Sequence, residues 1–242
     1  MDTPLAAWLI LLVMVFGLAG CYIFNVMFAH ELAERLVAHG PRGYASLVTG
    51  ATAVLAGIGT ALITASLEVG NPWYGLVLGT LAGAGWSALA LKQRSRNGGH
   101  WLSRTRSRLR RHLDPRHRPA DLAHVMAQVR RIERTGVRLT DRADGLTVRS
   151  WAARPARRDL LTAAVWLSTS AVMGVLVLVR FMGVTVPDIT DLAAMAILGL
   201  SFLAGPAAML LRRDNRRWRL RRIGTELTDD ARRAAVALAA QR

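Results

Sequence analysis

The chain has 242 residues, 52% of them hydrophobic, yet it carries 32 Lys and Arg against 16 Asp and Glu, a formal charge of +16. Its single cysteine, Cys21, excludes an intramolecular disulfide framework and a thiolate zinc site. The apolar residues fall in blocks divided by arginine-dense stretches, which excludes an ordinary soluble core and implies a polyanion as partner, either phospholipid headgroups or nucleic acid.

A helix that crosses the hydrocarbon needs roughly 20 mostly apolar residues, at about 1.5 Å per residue over about 30 Å. Five stretches qualify: 5–28, 45–67, 73–91, 160–182 and 192–211. None has a charge at its centre, where one costs about 2.5–3.5 kcal/mol. In the first, Leu18-Ala19-Gly20-Cys21 resembles the lipobox of bacterial lipoproteins, which implies lipidation of Cys21. The preceding MDTP has no basic residue and the apolar run continues to Phe28, so the stretch reads as one uncut helix with Cys21 packed inside it. His30, Glu31 and Glu34 follow within about one turn. The pattern is HExxE, not HExxH, and reads as a solvated, amphipathic start to the first loop rather than a metal site.

Small residues dominate the next two spans. Ala53, Gly57, Ala61 and Ala65 recur every fourth position, and so do Gly75, Gly79 and Gly83. Lipid supplies little hydrophobic force between helices, so such stripes mark faces where backbones touch. The expectation is either that the two spans pack on each other across the short turn EVGNP or that the Gly75, Gly79 and Gly83 face drives self-association, with a pore-lining stripe as a third use. Residues 83–88, GAGWSA, match the letters of the dinucleotide fingerprint but lie inside an apolar helix, not between a strand and a helix, so they imply no nucleotide.

Residues 92–159 form a large loop with nineteen Lys and Arg. In its first part Trp101, Leu102, Thr105, Leu109 and Leu113 keep near-helical spacing, while Arg104, Arg106, Arg108, Arg110 and Arg111 cover the remaining surface. That pattern predicts an interfacial helix, its apolar stripe on acyl chains and its guanidinium groups on lipid phosphates, stopped at Asp114-Pro115. The second part predicts a helix from Pro119 through Leu122, Val125, Met126, Val129 and Ile132 to a left-handed stop at Gly136. Two short alternating runs, VRLT and LTVR, then suggest a hairpin around Asp144-Gly145. His100, His112, His117 and His124 are irregularly spaced among cations, which disfavours a dication.

Arg180 lies near the end of the fourth span, where its stem is expected to snorkel toward Asp188 or Asp191; a transport or gating role is the alternative. Gly205-Pro206 interrupts the fifth span. Beyond Leu211 the tail RRDNRRWRLRR, which includes Arg216 and Arg217, repeats the basic chemistry, and Thr228-Asp229-Asp230 is expected to cap a separate terminal helix.

The turn between spans two and three and the connection between spans four and five carry no basic residue, whereas the other connections and the tail are rich in arginine. Placing basic segments in the cytoplasm puts the N-terminus outside and the C-terminus inside. The expected architecture is an all-α integral membrane protein with five transmembrane helices. A three-span region (1–91) leads into a small basic cytoplasmic helix-plus-hairpin insert (92–159), a two-span hairpin (160–211) and a basic helical tail (212–242).

No catalytic grouping, phosphate loop, cofactor motif or metal set can be assembled from the sequence. The expected function is therefore a non-catalytic multi-pass inner-membrane protein that oligomerises or assembles with a membrane partner, with Arg104, Arg106, Arg108, Arg110, Arg111, Arg216 and Arg217 available to anionic headgroups. A channel or transporter built on Arg180 and the glycine-rich spans is one alternative. Another is a membrane-tethered DNA-binding component of a conjugation system: the layout over most of the chain is similar to that of the spread proteins of actinobacterial conjugative plasmids, a likeness that carries over no residue. Nucleic acid is the less favoured partner, because the loop holds no groove-reading motif.

Overall fold

The structure, a computed structural model, describes residues 3–37, 44–94, 100–111, 121–147, 157–183 and 188–240. Of these, 93% are helical and none is in a strand, so the chain is all-helical wherever it is described. The helices are α1 (Thr3–Leu36), α2 (Tyr44–Leu67), α3 (Pro72–Arg94), α4 (His100–Arg111), α5 (Leu122–Asp144), α6 (Arg157–Phe181) and α7 (Ile189–Ala239). Five of them, α1, α2, α3, α6 and α7, are long and apolar enough to cross a membrane. The chain divides into two compact units: an apolar unit, Met1–Ala90 with Pro155–Arg212, and a basic unit, Leu91–Arg154 with Arg213–Arg242. Helix α7 contributes to both. Its 51 residues would extend about 75 Å, more than twice the roughly 30 Å of hydrocarbon, so only its apolar first half matches a span.

In the apolar unit α1 packs against both α2 and α6. Cys21, Ile63 and Met173 form one buried cluster with Tyr22, Leu67, Leu176 and Phe202 around it, and Val26, Ala29 and Ala56 form another. Gly17 and Gly20 let α1 approach α6 closely, since a methyl on Gly20 would overlap the Thr169 side chain. Burial of Cys21 among these side chains suits a small packing residue.

Helix α7 runs unbroken through Pro206, contrary to the interruption expected there. Proline has no N–H, so the carbonyl four residues earlier, that of Phe202, loses its helical donor. Trp166 on α6 supplies the replacement: its Nε1–H donates to the Phe202 carbonyl at 2.9 Å. Gly205 makes room for the indole, which occupies the position a side chain there would need. Because lipid offers no water to an orphaned carbonyl, Gly205, Pro206 and Trp166 act together as an interhelical lock.

The basic unit is a helical bundle of α4, α5 and the second half of α7. Leu109, Val129, Ala231, Ala234 and Leu238 make its core, flanked by Leu122, Val125, Met126, Ile132 and Ala235. Three expectations are corrected here. Helix α5 does not stop at Gly136 but runs to Asp144, so VRLT is helical and the hairpin does not form; of its second arm, residues 148 and 149 lie outside the described residues. The helix starts at Leu122, with Asp121 as N-cap accepting from the His124 N–H at 2.9 Å, while Pro119 and Asp114-Pro115 lie outside the described residues. Thr228-Asp229-Asp230 caps nothing, because α7 continues through it and the Thr228 hydroxyl donates back to the Gly224 carbonyl at 2.8 Å.

Gly136 and Gly224 explain why α5 and α7 fit. A methyl on Gly136 would fall 2.8 Å from the Gly224 carbonyl oxygen, and one on Gly224 would fall 2.7 Å from that of Gly136. The relation is reciprocal down to the flanking threonines: Gly136 faces Thr228, and Gly224 faces Thr140. The sequence carries the same symmetry. Gly136, Leu139, Thr140, Asp141 and Ala143 recur in order and spacing as Gly224, Leu227, Thr228, Asp229 and Ala231.

Two predictions follow from these contacts. Trp166→Phe should destabilise the protein by about 1–3 kcal/mol by leaving a buried carbonyl unpaired, and Pro206→Ala should absorb much of that loss by restoring a backbone donor. Unfolding of the four proteins in detergent micelles measures the coupling, and equal costs in both backgrounds would refute the lock. Gly136→Ala, which in an open helix stabilises by about 1 kcal/mol, is expected to lower stability here because the added methyl meets backbone; thermal unfolding followed by circular dichroism reads the sign.

Candidate functional site

The small-residue stripes of α2 and α3 come together on each other. Methyls placed on Gly75, Gly79 and Gly83 would fall 2.8 Å from the Thr60 carbonyl, 2.5 Å from that of Ala56 and 2.9 Å from that of Thr52. From the other side, Gly57 faces Thr80 and the Leu76 carbonyl, and the α-carbons of Ala53 and Ala61 lie beneath Gly83 and Gly75. Buried hydroxyls finish the contact. Thr60 reaches the Gly75 carbonyl on α3 at 2.5 Å as well as that of Ala56 on its own helix at 2.7 Å. The face considered for self-association is thus covered within the chain.

Arg180 meets neither Asp188 nor Asp191. Its Nη2 lies 2.5 Å from Glu68 Oε1, and its guanidinium sits 5.5 Å from the Phe181 ring centroid. Glu68 occupies the left-handed position that closes α2, with φ of 54°, and its N–H and that of Val69 return to the carbonyls of Ala65 and Thr64. Glycine usually fills that position, since a side chain there costs roughly 1–2 kcal/mol. Asp188 serves α7 instead: the Thr190 hydroxyl donates to its Oδ1 at 2.5 Å and the Asp191 N–H at 2.8 Å, which holds the carboxyl below its usual range. The support this gives the first turn is present at neutral pH and fades as pH falls through that lowered value.

In the basic unit Leu109 and Thr105 of α4 are buried against the bundle, so protein, not acyl chains, covers these two members of the stripe expected to face lipid; Leu113 lies outside the described residues. The side chains of Trp101 and Leu102 lie outside the described set. Arg106 turns inward, 2.9 Å from Glu226 and 3.2 Å from Asp230 on α7. Arg104, Arg108, Arg110 and Arg111 face outward, as does Arg216, while Arg217 is half-buried. On α5, Arg130, Arg131 and Arg134 line a shallow groove of about 370 Å³ floored by Ala123, Met126 and Ala127.

His30, Glu31 and Glu34 are not solvated. Their residual exposures are 1%, 5% and 2%, which corrects the reading of this turn as a polar loop start. Helix α1 simply continues to Leu36 and carries them inside. One ligand-type atom from each lies within 4.8 Å of the others, and the Tyr44 hydroxyl of α2 donates to Glu34 Oε1 at 3.0 Å. Of the loop histidines, His112 and His117 lie outside the described residues, as does the side chain of His100; His124 pairs through Nε2 with Gln128 at 2.8 Å.

No protein-family model, curated protein or solved structure matches the chain. Three features escaped the sequence reading although each left a trace in it. The GxxLTDxA repeat was present in plain letters. Glu68 was the one acidic residue in the turn joining spans two and three. The burial of His30, Glu31 and Glu34 was marked only by Leu32 and Ala33, apolar residues that keep the helical run going past Phe28.

Exchanging Glu68 separates its two roles. Glu68→Gly should exceed Glu68→Ala in stability by about 1 kcal/mol, because only glycine relieves the left-handed backbone. Arg180→Ala should cost up to about 1 kcal/mol in the native background and nothing further beside Glu68→Ala; unfolding titrations of these variants in micelles check both.

Proposed function

We propose that this chain is a non-catalytic multi-pass inner-membrane protein whose basic unit lies in the cytoplasm and assembles on an anionic surface, with the N-terminus outside and the C-terminus inside. Orientation rests on the absence of basic residues from the turn at 68–71 and from 182–188, against their abundance in 92–159 and beyond Leu211. The observation that carries the reading is the split among the arginines of the basic unit. Arg106, Arg221 and Arg232 pair with acidic residues of another helix, whereas Arg104, Arg108, Arg110 and Arg111 on α4 and Arg130, Arg131 and Arg134 on α5 are exposed and form no ion pair among the described residues. With Thr105 and Leu109 of α4 buried in the bundle, these outward guanidinium groups are suited to phosphate oxygens rather than to immersion in acyl chains. Both ends of the unit continue into apolar helices, so the phosphates nearest to hand are lipid headgroups. Arg180, paired with Glu68, lends no support to a transport role.

The test reconstitutes the full chain in phosphatidylcholine nanodiscs and measures co-flotation with phosphatidylglycerol vesicles. Each exposed arginine contributes about 1 kcal/mol near an anionic leaflet, so replacing Arg104, Arg108, Arg110 and Arg111 by Gln should weaken association by about two to three powers of ten. Equal flotation with phosphatidylcholine vesicles would refute the reading. Displacement of the vesicles by duplex DNA at about 150 mM salt would favour the DNA-binding alternative instead.

A further inference from the structure

We propose that His30, Glu31 and Glu34 form a binding site for a divalent transition-metal ion at the end of α1. This inference is independent of what the basic unit docks on. Three side chains of metal-ligating type sit on one helical turn, each at least nineteen-twentieths buried, with ligand atoms within 4.8 Å of one another. Three atoms so spaced have a common point at most about 2.8 Å from each, and bonds of about 2.0–2.2 Å to nitrogen and oxygen are reached from there by small side-chain rotations.

Charge and donor type narrow the ion. Two carboxylates and an imidazole gathered out of water form a donor set that a dication suits, because it binds all three at once. One imidazole nitrogen with two carboxylate oxygens is a mixed set that suits Zn²⁺, Fe²⁺ or Mn²⁺ better than Mg²⁺ or Ca²⁺, which prefer oxygen alone. Glu34 stands in the last turn of α1, where the helix dipole favours positive charge. Tyr44 adds the outer support that metal carboxylates usually have: its hydroxyl donates to Glu34 Oε1 at 3.0 Å, tying the site to the first residue of α2. All three ligands come from α1, and α2 joins the site only through the Tyr44 hydroxyl on Glu34.

The experiment uses the full chain in nanodiscs, stripped with chelator, exposed to Zn²⁺ or Mn²⁺ alone, desalted and analysed for metal by mass spectrometry. Wild-type protein should retain close to one ion per chain, and His30→Gln and Glu34→Gln should each weaken retention about tenfold or more, with His124→Ala unchanged. Wild-type protein that retains no metal, or a His30→Gln/Glu34→Gln double variant that retains as much as wild type, would overturn the proposal. Should those variants misfold, the Co²⁺ absorption spectrum of wild-type protein decides: d–d bands of a low-coordinate nitrogen and oxygen site support it, and the spectrum of hydrated Co²⁺ overturns it.

Discussion

Backbone-to-backbone approach is the constraint on which the rest of this structure depends. Lipid gives apolar side chains little reason to leave it for one another, so helices in the apolar unit hold together only where their main chains come near enough for dispersion and interhelical hydrogen bonds to act. Gly75, Gly79 and Gly83 on α3 and Gly57 on α2 supply that proximity, and Gly20 supplies it between α1 and α6. Gly205 does the same for α6 and α7, with the added task of admitting an indole donor to a carbonyl that Pro206 leaves open. A residue with a side chain at any of these positions would remove the reason for the pairing, not merely loosen it.

The spans were legible because hydrocarbon thickness is a hard length and charge is excluded from its middle. Their ends were less so. An apolar count stops at the last hydrophobic residue, whereas a helix continues while its hydrogen bonds do, and α1 runs from Phe28 on to Leu36 with three ionisable groups buried on the way. The stripe through Thr105 and Leu109 was also visible, but an amphipathic pattern states only that something apolar covers it. Here that cover is Val129 and Leu238 rather than lipid. The hairpin expectation failed for a related reason. Four alternating residues fit a strand, yet Ile132, Gly136, Leu139 and Ala143 also prolong the helical face begun at Leu122, and a partner helix rewarded that longer pattern. At Gly136 the fold uses the missing side chain, not the freedom of the backbone.

Charge divides along the same boundary as packing. Arginines that face another helix of the basic unit find Glu133, Asp144, Glu226 or Asp230, and the acidic residues are placed so that each such pair joins two elements or steadies one. The surplus lies on the outside. This arrangement makes the bundle tolerant of its own high charge, since repulsion among guanidinium groups is relieved where they would otherwise be forced together and left to solvent and counterions elsewhere.

The reciprocal seating of Gly136 on Thr228 and Gly224 on Thr140 has an implication for assembly. The charges beside this seat are not shared: Glu133 of α5 stands where α7 has Arg221, and Asp144 where α7 has Arg232, so the pairs Arg232–Glu133 and Arg221–Asp144 need one helix of each kind. The seat is thus two-fold in its sterics but not in its electrostatics. A common steric seat with opposed charges therefore steers α5 toward α7 and sets two copies of either helix, placed in the same register, against each other by like charge.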